Sequence, residues 1–318
     1  MEDTIEAEFI NLPKPKFIMG KEPNRKFVKI NQFSNFSDLQ QVEDILGTEE
    51  FARVKDSFLG PVLKFHSNGK MMMSAKILHC ILTRRLVTRK KKELLFHFGG
   101  QPMRFSIGEF HLVTGLNCKE WTQEHEEREK KWDWGELQDN HSSDDVIELM
   151  IKARRTSYDE RLSLGMLVLI ENIYLHRYSA AKYPREYLER ASSLEMMMNY
   201  PWGIDAYELL LESVDKLTKE KLSKNSYDIH GFPIALHLWI LESIPKLQSA
   251  FSTIDNQVPA TAFLCEKYKA LKNPVIEEVL WIEGNEDLHV VCVLPKIPTM
   301  LRTMSIWKTQ LMKMLTHY

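Results

Sequence analysis

The sequence predicts a mainly α protein: a helical domain with a small β-hairpin near residues 94–106 and a short β pair near 275–294. Three observations carry that prediction. Apolar residues recur at helical spacing in successive segments, as in Ile77, Leu78, Ile81 and Leu82 or Leu210, Leu211, Val214 and Leu217. Two stretches, Leu162–Tyr174 and Ile234–Ile244, are apolar nearly all round, the mark of buried helices. An apolar strand at Leu94–Phe98, a glycine-containing turn, and a return in which Met103 and Phe105 alternate with Arg104 and Ser106 mark a hairpin.

The elements follow in order. Residues 1–29 mix charges with Pro13, Pro15 and Pro23 and show no period, so a poorly ordered segment is expected there. From about Asn35 to Lys55, Leu39, Val42, Ile45 and Leu46 mark a helix, and Gly47 is placed to cap it. A second helix is expected from Met71 to Val87. Its apolar face is Ile77, Leu78, Ile81, Leu82 and Leu86, with Lys70, Lys76, Arg84 and Arg85 on or near the other faces. Leu94–Phe98 reads as a strand, Gly99-Gly100-Gln101-Pro102 as a turn, and Met103 and Phe105 as a return strand. Ser106-Ile107-Gly108-Glu109 is a capping box, and Gly115 is placed to end the helix it opens.

Residues 120–145 form an acidic insert in the domain, with ten carboxylates against three basic residues, and with Trp121, Trp132 and Trp134. The spacing and glycine of a calcium loop are absent, so a solvated loop is expected, with its tryptophans partly packed. The second half is helical. One helix starts at Ser143 with the stripe Val146, Ile147, Met150 and Ile151, and ends at Arg154 and Arg155. Pro184 opens another, carrying Tyr187, Leu188, Ala191 and Leu194. Tyr200-Pro201-Trp202-Gly203 turns into the helix of Tyr207 and Leu210, and Gly231-Phe232-Pro233 into one that ends near Pro245. Val275–Ile282 and Leu288–Leu294 are expected to pair as strands, and Met304–Leu315 to form an amphipathic helix in the tail 296–318. No Gly/Ser linker divides residues 30–295, so a single domain is expected there.

Composition bounds the function classes. The net charge of −2 lacks the basic excess of a dedicated nucleic-acid binder. Cys80, Cys118, Cys265 and Cys292 are far apart, no CxxC or apolar leader is present, and no segment is long and apolar enough for a membrane span. Reduced thiols in the nucleus or cytoplasm, without secretion, are expected. Glycine–lysine–hydroxyl spacing is missing from GGQP, so no phosphate loop is read there, and no cofactor motif occurs. No HExxH occurs, and His230 and His237, seven apart, are too distant along a helix to share an ion, so no metal site is assigned. His79-Cys80 and His111 with Cys118 are the adjacent thiol–histidine pairs, and each belongs to a stretch with a packing role, so no catalytic residue is assigned. The remaining candidate is basic: Arg84, Arg85, Arg89, Lys90, Lys91 and Lys92, for nucleic-acid contact or nuclear import.

Three segments in order, FHFGGQPMRFSIGEFHLVTGLNC, YPWGIDAYELL and HGFPIALHLWILESIPKL, resemble a plant domain of unknown function found in transposon-derived proteins. The resemblance runs from roughly residue 50 to 295. In that family the domain often precedes a cysteine protease of the kind that cleaves ubiquitin-like modifiers such as SUMO. The resemblance implies a mostly helical module with no catalytic residue of its own, and the protease domain is expected to be absent from a chain ending at Tyr318. Three functions follow as expectations: a non-catalytic interaction module with a protein partner, a nucleic-acid binder using the basic cluster 84–92, or a substrate-positioning part of a SUMO-type proteolytic system whose protease is encoded elsewhere. Phe105, Trp202 and Trp239 are expected in the core, because aromatics carry large buried area.

Overall fold

In the computed structural model the structure describes residues 16–20, 28–68, 73–88, 91–121, 131–134, 140–153, 157–178 and 182–294. Among these residues the chain forms fourteen helices and three two-stranded sheets, a mainly α fold. In order they are β1 (Lys29–Gln32), α1 (Leu39–Lys55), α2 (Gly60–Ser67), α3 (Ala75–Leu82), β2 (Leu94–Phe98), β3 (Gln101–Phe105), α4 (Ile107–Thr114) and α5 (Ser143–Lys152). Then follow α6 (Tyr158–Ile173), α7 (Arg185–Ala191), α8 (Leu194–Asn199), α9 (Trp202–Asp215), α10 (Lys219–Leu222) and β4 (Ser226–Ile229). Last come α11 (Pro233–Ser243), α12 (Pro245–Phe251), β5 (Ser252–Ile254), α13 (Leu264–Lys267), β6 (Tyr268–Ala270) and α14 (Ile276–Glu283).

Two helices organise the core. Helix α6 is buried continuously from Arg161 to Ile173 and is surrounded by α1, α5, α7 and α8. Helix α11 is buried from Pro233 to Leu241 and packs on α3, α4, α12, α13 and β3. These are the two stretches that are apolar all round, because a helix with neighbours on every side has no face left for water. Two buried polar groups on α6 reach neighbouring segments: Arg161 pairs with Glu50 of α1, and Asn172 donates to Asp38 at 2.6 Å.

The β2–β3 hairpin pairs Leu94 with Phe105 and Phe98 with Gln101, so the turn is Gly99-Gly100 alone. The expected capping box is present: Glu109 accepts from the Ser106 amide at 2.8 Å, and Ser106 Oγ accepts from Gly108 at 3.3 Å. Gly115 ends α4 at φ 77°, a left-handed conformation that glycine adopts without a Cβ clash. Phe105, Trp202 and Trp239 are buried as expected. Trp239 lies 5.8 Å from Phe96 and 5.1 Å from Phe105, ring centre to ring centre, and Tyr207 lies 5.7 Å from Phe110. Gly203 meets the segment after α4: its amide donates to Asn117 at 3.0 Å, and a Cβ there would stand 2.4 Å from Cys118 Sγ. The three sequence segments thus build one shared core.

The structure corrects several expectations. No β pair forms at 275–294: Ile276–Glu283 is helix α14, and 288–294 has no regular structure. Glu277 and Glu278 in the first turn favour the helix N-terminus, and Val279 and Ile282 are buried at helical spacing. Helix α3 stops at Leu82, because Arg85 and Leu86 leave it to bridge Phe96 and Phe17. Gly47 kinks α1 at φ 77° and ψ 173° instead of ending it. Leu194 starts a new helix, capped by Ser193. The expectations for Lys70, Arg154, Arg155, the tail helix 304–315 and most of 1–29 and 120–139 lie outside the described residues.

Candidate functional site

The basic cluster read from the sequence is divided by the fold. Arg84 and Arg85 are only 3% and 5% exposed. Arg84 grips Glu283 with two guanidinium nitrogens, one at 2.7 Å, and donates to the Cys80 carbonyl at 3.0 Å. Arg85 donates to the Val214 and Leu217 carbonyls and to Asp215 at 3.1 Å. It therefore caps the C-terminus of α9, where carbonyls lack helical partners. Neither guanidinium faces a solvent phosphate. This corrects their assignment as contact residues: a buried charge needs a protein partner, and each found one. Lys91 and Lys92 are exposed, while Arg89 and Lys90 lie outside the described residues.

The Cys80 and Cys118 thiols and the His79 ring are held in neutral forms. Burial pushes the Cys80 thiol up to about 12 and the His79 ring down to about 4, and His79 Nδ1 lies 3.1 Å from the Tyr227 hydroxyl. Burial likewise pushes Cys118 up to about 12. Its Sγ and His111 Nδ1 both turn to the Leu116 carbonyl, at 3.5 and 2.7 Å, and not to each other. A nucleophilic thiolate needs the reverse environment. His230 and His237 are separated: the former lies before α11, the latter is buried within it, and burial lowers the His237 ring to about 4. Among the described residues no three His, Cys, Asp or Glu side chains gather where an ion would fit. No helix among them is long and apolar enough to cross a membrane.

A polar network is buried at the C-terminal end of α6. His141 Nε2 lies 2.6 Å from Glu171 Oε1, with both side chains fully enclosed. Burial holds the Glu171 carboxyl above its ordinary range against the opposing pull of His141. The Tyr183 hydroxyl donates to the Glu171 carbonyl at 3.0 Å and lies 2.7 Å from His176 Nδ1. Two backbone bonds between His141 and Tyr183 complete the network. The network adjoins Arg177, Tyr178 and Lys182, which follow His176 and precede Tyr183 in the chain.

Those side chains wall a polar cleft. One half, a cavity of about 590 Å³, is lined by Asn31, Arg177, Lys216, Lys221, Lys224, Asp228 and His230, among others. The other half, about 600 Å³, is lined by Lys182, Tyr183, Tyr187, Asp205, Glu208 and Glu212, among others. The halves share Arg177, Tyr178, Leu209 and Glu212 and so adjoin along α9. Helix α9 supplies its floor: Leu209 and Ser213 turn inward while Glu212 and Lys216, one turn apart, face out and pair at 2.6 Å. Strand β4 stands beside it, held parallel to β1 with Asn31 opposite Asp228, whose side chains bond at 2.8 Å. The two carboxylates of the first half thus have partners. Arg177, Lys221 and Lys224 make no ion pair among the described residues.

His230 sits at the junction. Its amide donates to Ser213 at 2.8 Å and its ring lies 5.5 Å from that of Phe33. Burial lowers its proton affinity, Asp228 and Glu212 raise it, and Arg177 and Lys216 lower it further. The ring is therefore neutral at physiological pH, yet lies within the field of both cations.

Sequence reasoning missed this cleft. The run Lys216, Lys219, Lys221 and Lys224 was the available signal, but it resembles any solvated helical face. Arg177 and His230 join it only through tertiary contacts. No curated protein and no solved structure matches the chain. Residues 82–213, less than half of the chain but including the first two of the three sequence segments, match the model of a family described as a domain of unknown function, DUF1985.

Proposed function

We propose that the chain is a non-catalytic interaction module that holds an extended segment of a partner polypeptide in the cleft along α9. The observation that carries this reading is the division of charge between the adjoining halves of the cleft. Lys216, Lys221 and Lys224 line one half, carboxylates Asp205 and Glu208 with Lys182 line the other, and Arg177 and Glu212 stand where the two meet. A nucleic-acid backbone presents one sign of charge throughout and would be repelled by the second half. A polypeptide segment can carry both signs in sequence and so match both. The Cys80 and Cys118 thiols, which burial keeps neutral, support a binding role over nucleophilic chemistry. The transposon-derived setting, and a protease partner encoded elsewhere, belong to this reading as implications of the resemblance.

Lys91 and Lys92, exposed beside the hairpin, favour a second reading as nucleic-acid contacts. One experiment separates the two. Binding of the full chain to a degenerate peptide library, to duplex and single-stranded DNA and to RNA is measured across a salt series. Peptide binding lost on Lys221→Glu with Lys224→Glu supports the cleft. Nucleic-acid binding with a steep salt slope, lost on Lys91→Glu with Lys92→Glu and unaffected by the cleft changes, would replace it.

A further inference from the structure

We propose that the cationic half of the cleft is a receptor for a phosphorylated side chain of the partner polypeptide, seated among Arg177, Lys221 and Lys224 with His230 beside it. This rests on the polypeptide reading above and names the group that reading leaves open.

The argument begins with charge. Four cations and two carboxylates line this cavity, and both carboxylates already have partners, Glu212 on Lys216 and Asp228 on Asn31. Asn31 is neutral and leaves the charge of Asp228 in place, so the cavity keeps a net two positive charges in a space of about 590 Å³, with Arg177, Lys221 and Lys224 outside any ion pair among the described residues. Like charges gathered in a concave surface repel one another and concentrate anions. A single carboxylate offers one negative charge. A phosphate monoester carries about −1.5 to −2 at neutral pH with three strong acceptor oxygens, matching the excess more closely. The donor types suit it as well: a guanidinium reaches two oxygens at once, and the flexible ammonium groups of two lysines reach the third.

The positioning of the donors adds a second line. Arg177 does not hang on a free loop. Its neighbour His176 is fixed by the Tyr183 hydroxyl at 2.7 Å, and the His176 carbonyl accepts from the Gly231 amide at 3.0 Å. That bond ties the arginine strand to the residue following His230, so cation and histidine are held together across the cavity mouth. Lys221 and Lys224 are brought to the same place by the short helix α10, whose N-cap Thr218 accepts from the Lys221 amide at 3.4 Å. A site that must recognise a compact dianion needs donors from several elements held at a fixed separation, and three elements contribute here.

His230 supplies a readout that a merely cationic surface would lack. The charged groups facing it are Asp228 from β4, Arg177 from the segment after α6, and Glu212 and Lys216 from α9, with the Phe33 ring tilted against it at 5.5 Å. An added dianion tips this balance toward the protonated ring, so binding takes up a proton and tightens as the pH falls toward the ordinary range of histidine, until the phosphate itself protonates. The carboxylates of the adjoining half favour a polypeptide as the carrier over a polynucleotide.

The test uses the full chain and three degenerate peptide libraries, with serine, phosphoserine or glutamate fixed at the centre, read by fluorescence anisotropy. The phosphoserine library is expected to bind about tenfold or more tighter than the serine library. That preference should vanish in Lys221→Gln with Lys224→Gln, whose exposed side chains leave the unfolding transition in place, and the His230 ring should titrate higher when the phosphoserine library is bound. Equal binding of all three libraries overturns the phosphate assignment and leaves the peptide cleft standing. Binding of none overturns the peptide cleft itself. Displacement of phosphoserine peptides by a single-stranded oligonucleotide at comparable concentration overturns the polypeptide source.

Discussion

Two clusters of positive charge stand in opposite relations to the chain. Arg84 to Lys92 are nearly consecutive in sequence, yet the fold draws Arg84 and Arg85 inward onto Glu283 and the end of α9. Arg177, Lys216, Lys221 and Lys224 are dispersed, yet the fold gathers them around one cavity. The first pair is structural, because each guanidinium replaces solvent with carbonyl and carboxylate partners. In the second set Lys216 pairs with Glu212 at 2.6 Å, while Arg177, Lys221 and Lys224 are left facing water outside any ion pair among the described residues. Proximity in sequence was therefore a poor guide to the charge a partner would meet.

The contrast can be broken most directly at Arg84. Arg84→Ala leaves Glu283 without its donor and takes one of two side-chain donors from the Cys80 carbonyl, which keeps Thr83, and a broken buried pair costs about 3–5 kcal/mol. Urea unfolding of the variant measures it. A loss as small as that of an exposed lysine would place Arg84 back among the surface cations.

Acid comes next. Burial lowers the folded-state His237 ring to about 4, and neither ring nitrogen has a partner. The folded chain then binds fewer protons than the unfolded chain. Stability from this group is full above the ordinary histidine value of about 6.5 and falls as the pH drops toward 4, by up to about 3 kcal/mol. Glu171, raised by burial, acts in the opposite direction. The readout is therefore the difference between wild type and His237→Leu: the variant should lose less stability between neutral pH and pH 4. Parallel pH profiles would refute the buried neutral histidine.

Gly203→Ala sharpens the comparison on the apolar side. The added Cβ would meet Cys118 Sγ at 2.4 Å and the Asn117 carbonyl at 2.7 Å. Overpacking of this kind costs about 1–3 kcal/mol, seen as a lower melting temperature. Pairing it with Cys118→Ala removes one of the two close contacts and should recover part of the loss.

The smallest effect on stability belongs to the cleft. Lys221→Gln with Lys224→Gln should shift the unfolding free energy by no more than about 0.5 kcal/mol while altering peptide binding. A large stability loss there would mean that these lysines, like Arg84 and Arg85, serve the fold.

Much of the architecture was legible beforehand. The hairpin at 94–105, the capping box at Ser106 and Glu109, the glycine stop at Gly115 and the buried helices α6 and α11 all follow from local rules of period, capping and turn chemistry. The misreading at 275–294 came from weighing valine content above the acidic first turn of α14 and the helical spacing of Val279 and Ile282. The early end of α3 was hidden for a different reason. Leu86 fits the apolar face of that helix, but its partner Phe17 and the partner of Arg85, Phe96, lie outside any local window.

The sequence by itself determined the long buried helices, the hairpin turn, and the three motifs that carry the aromatic core, because those features depend on neighbours within a few residues. Only the tertiary structure decided which charges are spent internally. Arg84 meets Glu283, Arg85 meets the end of α9, and Arg177 joins Lys221, Lys224 and His230 across a cleft. Whether a cation stays exposed is set by the nearest carbonyl or carboxylate in space. The chain folds those partners into place from far along its length.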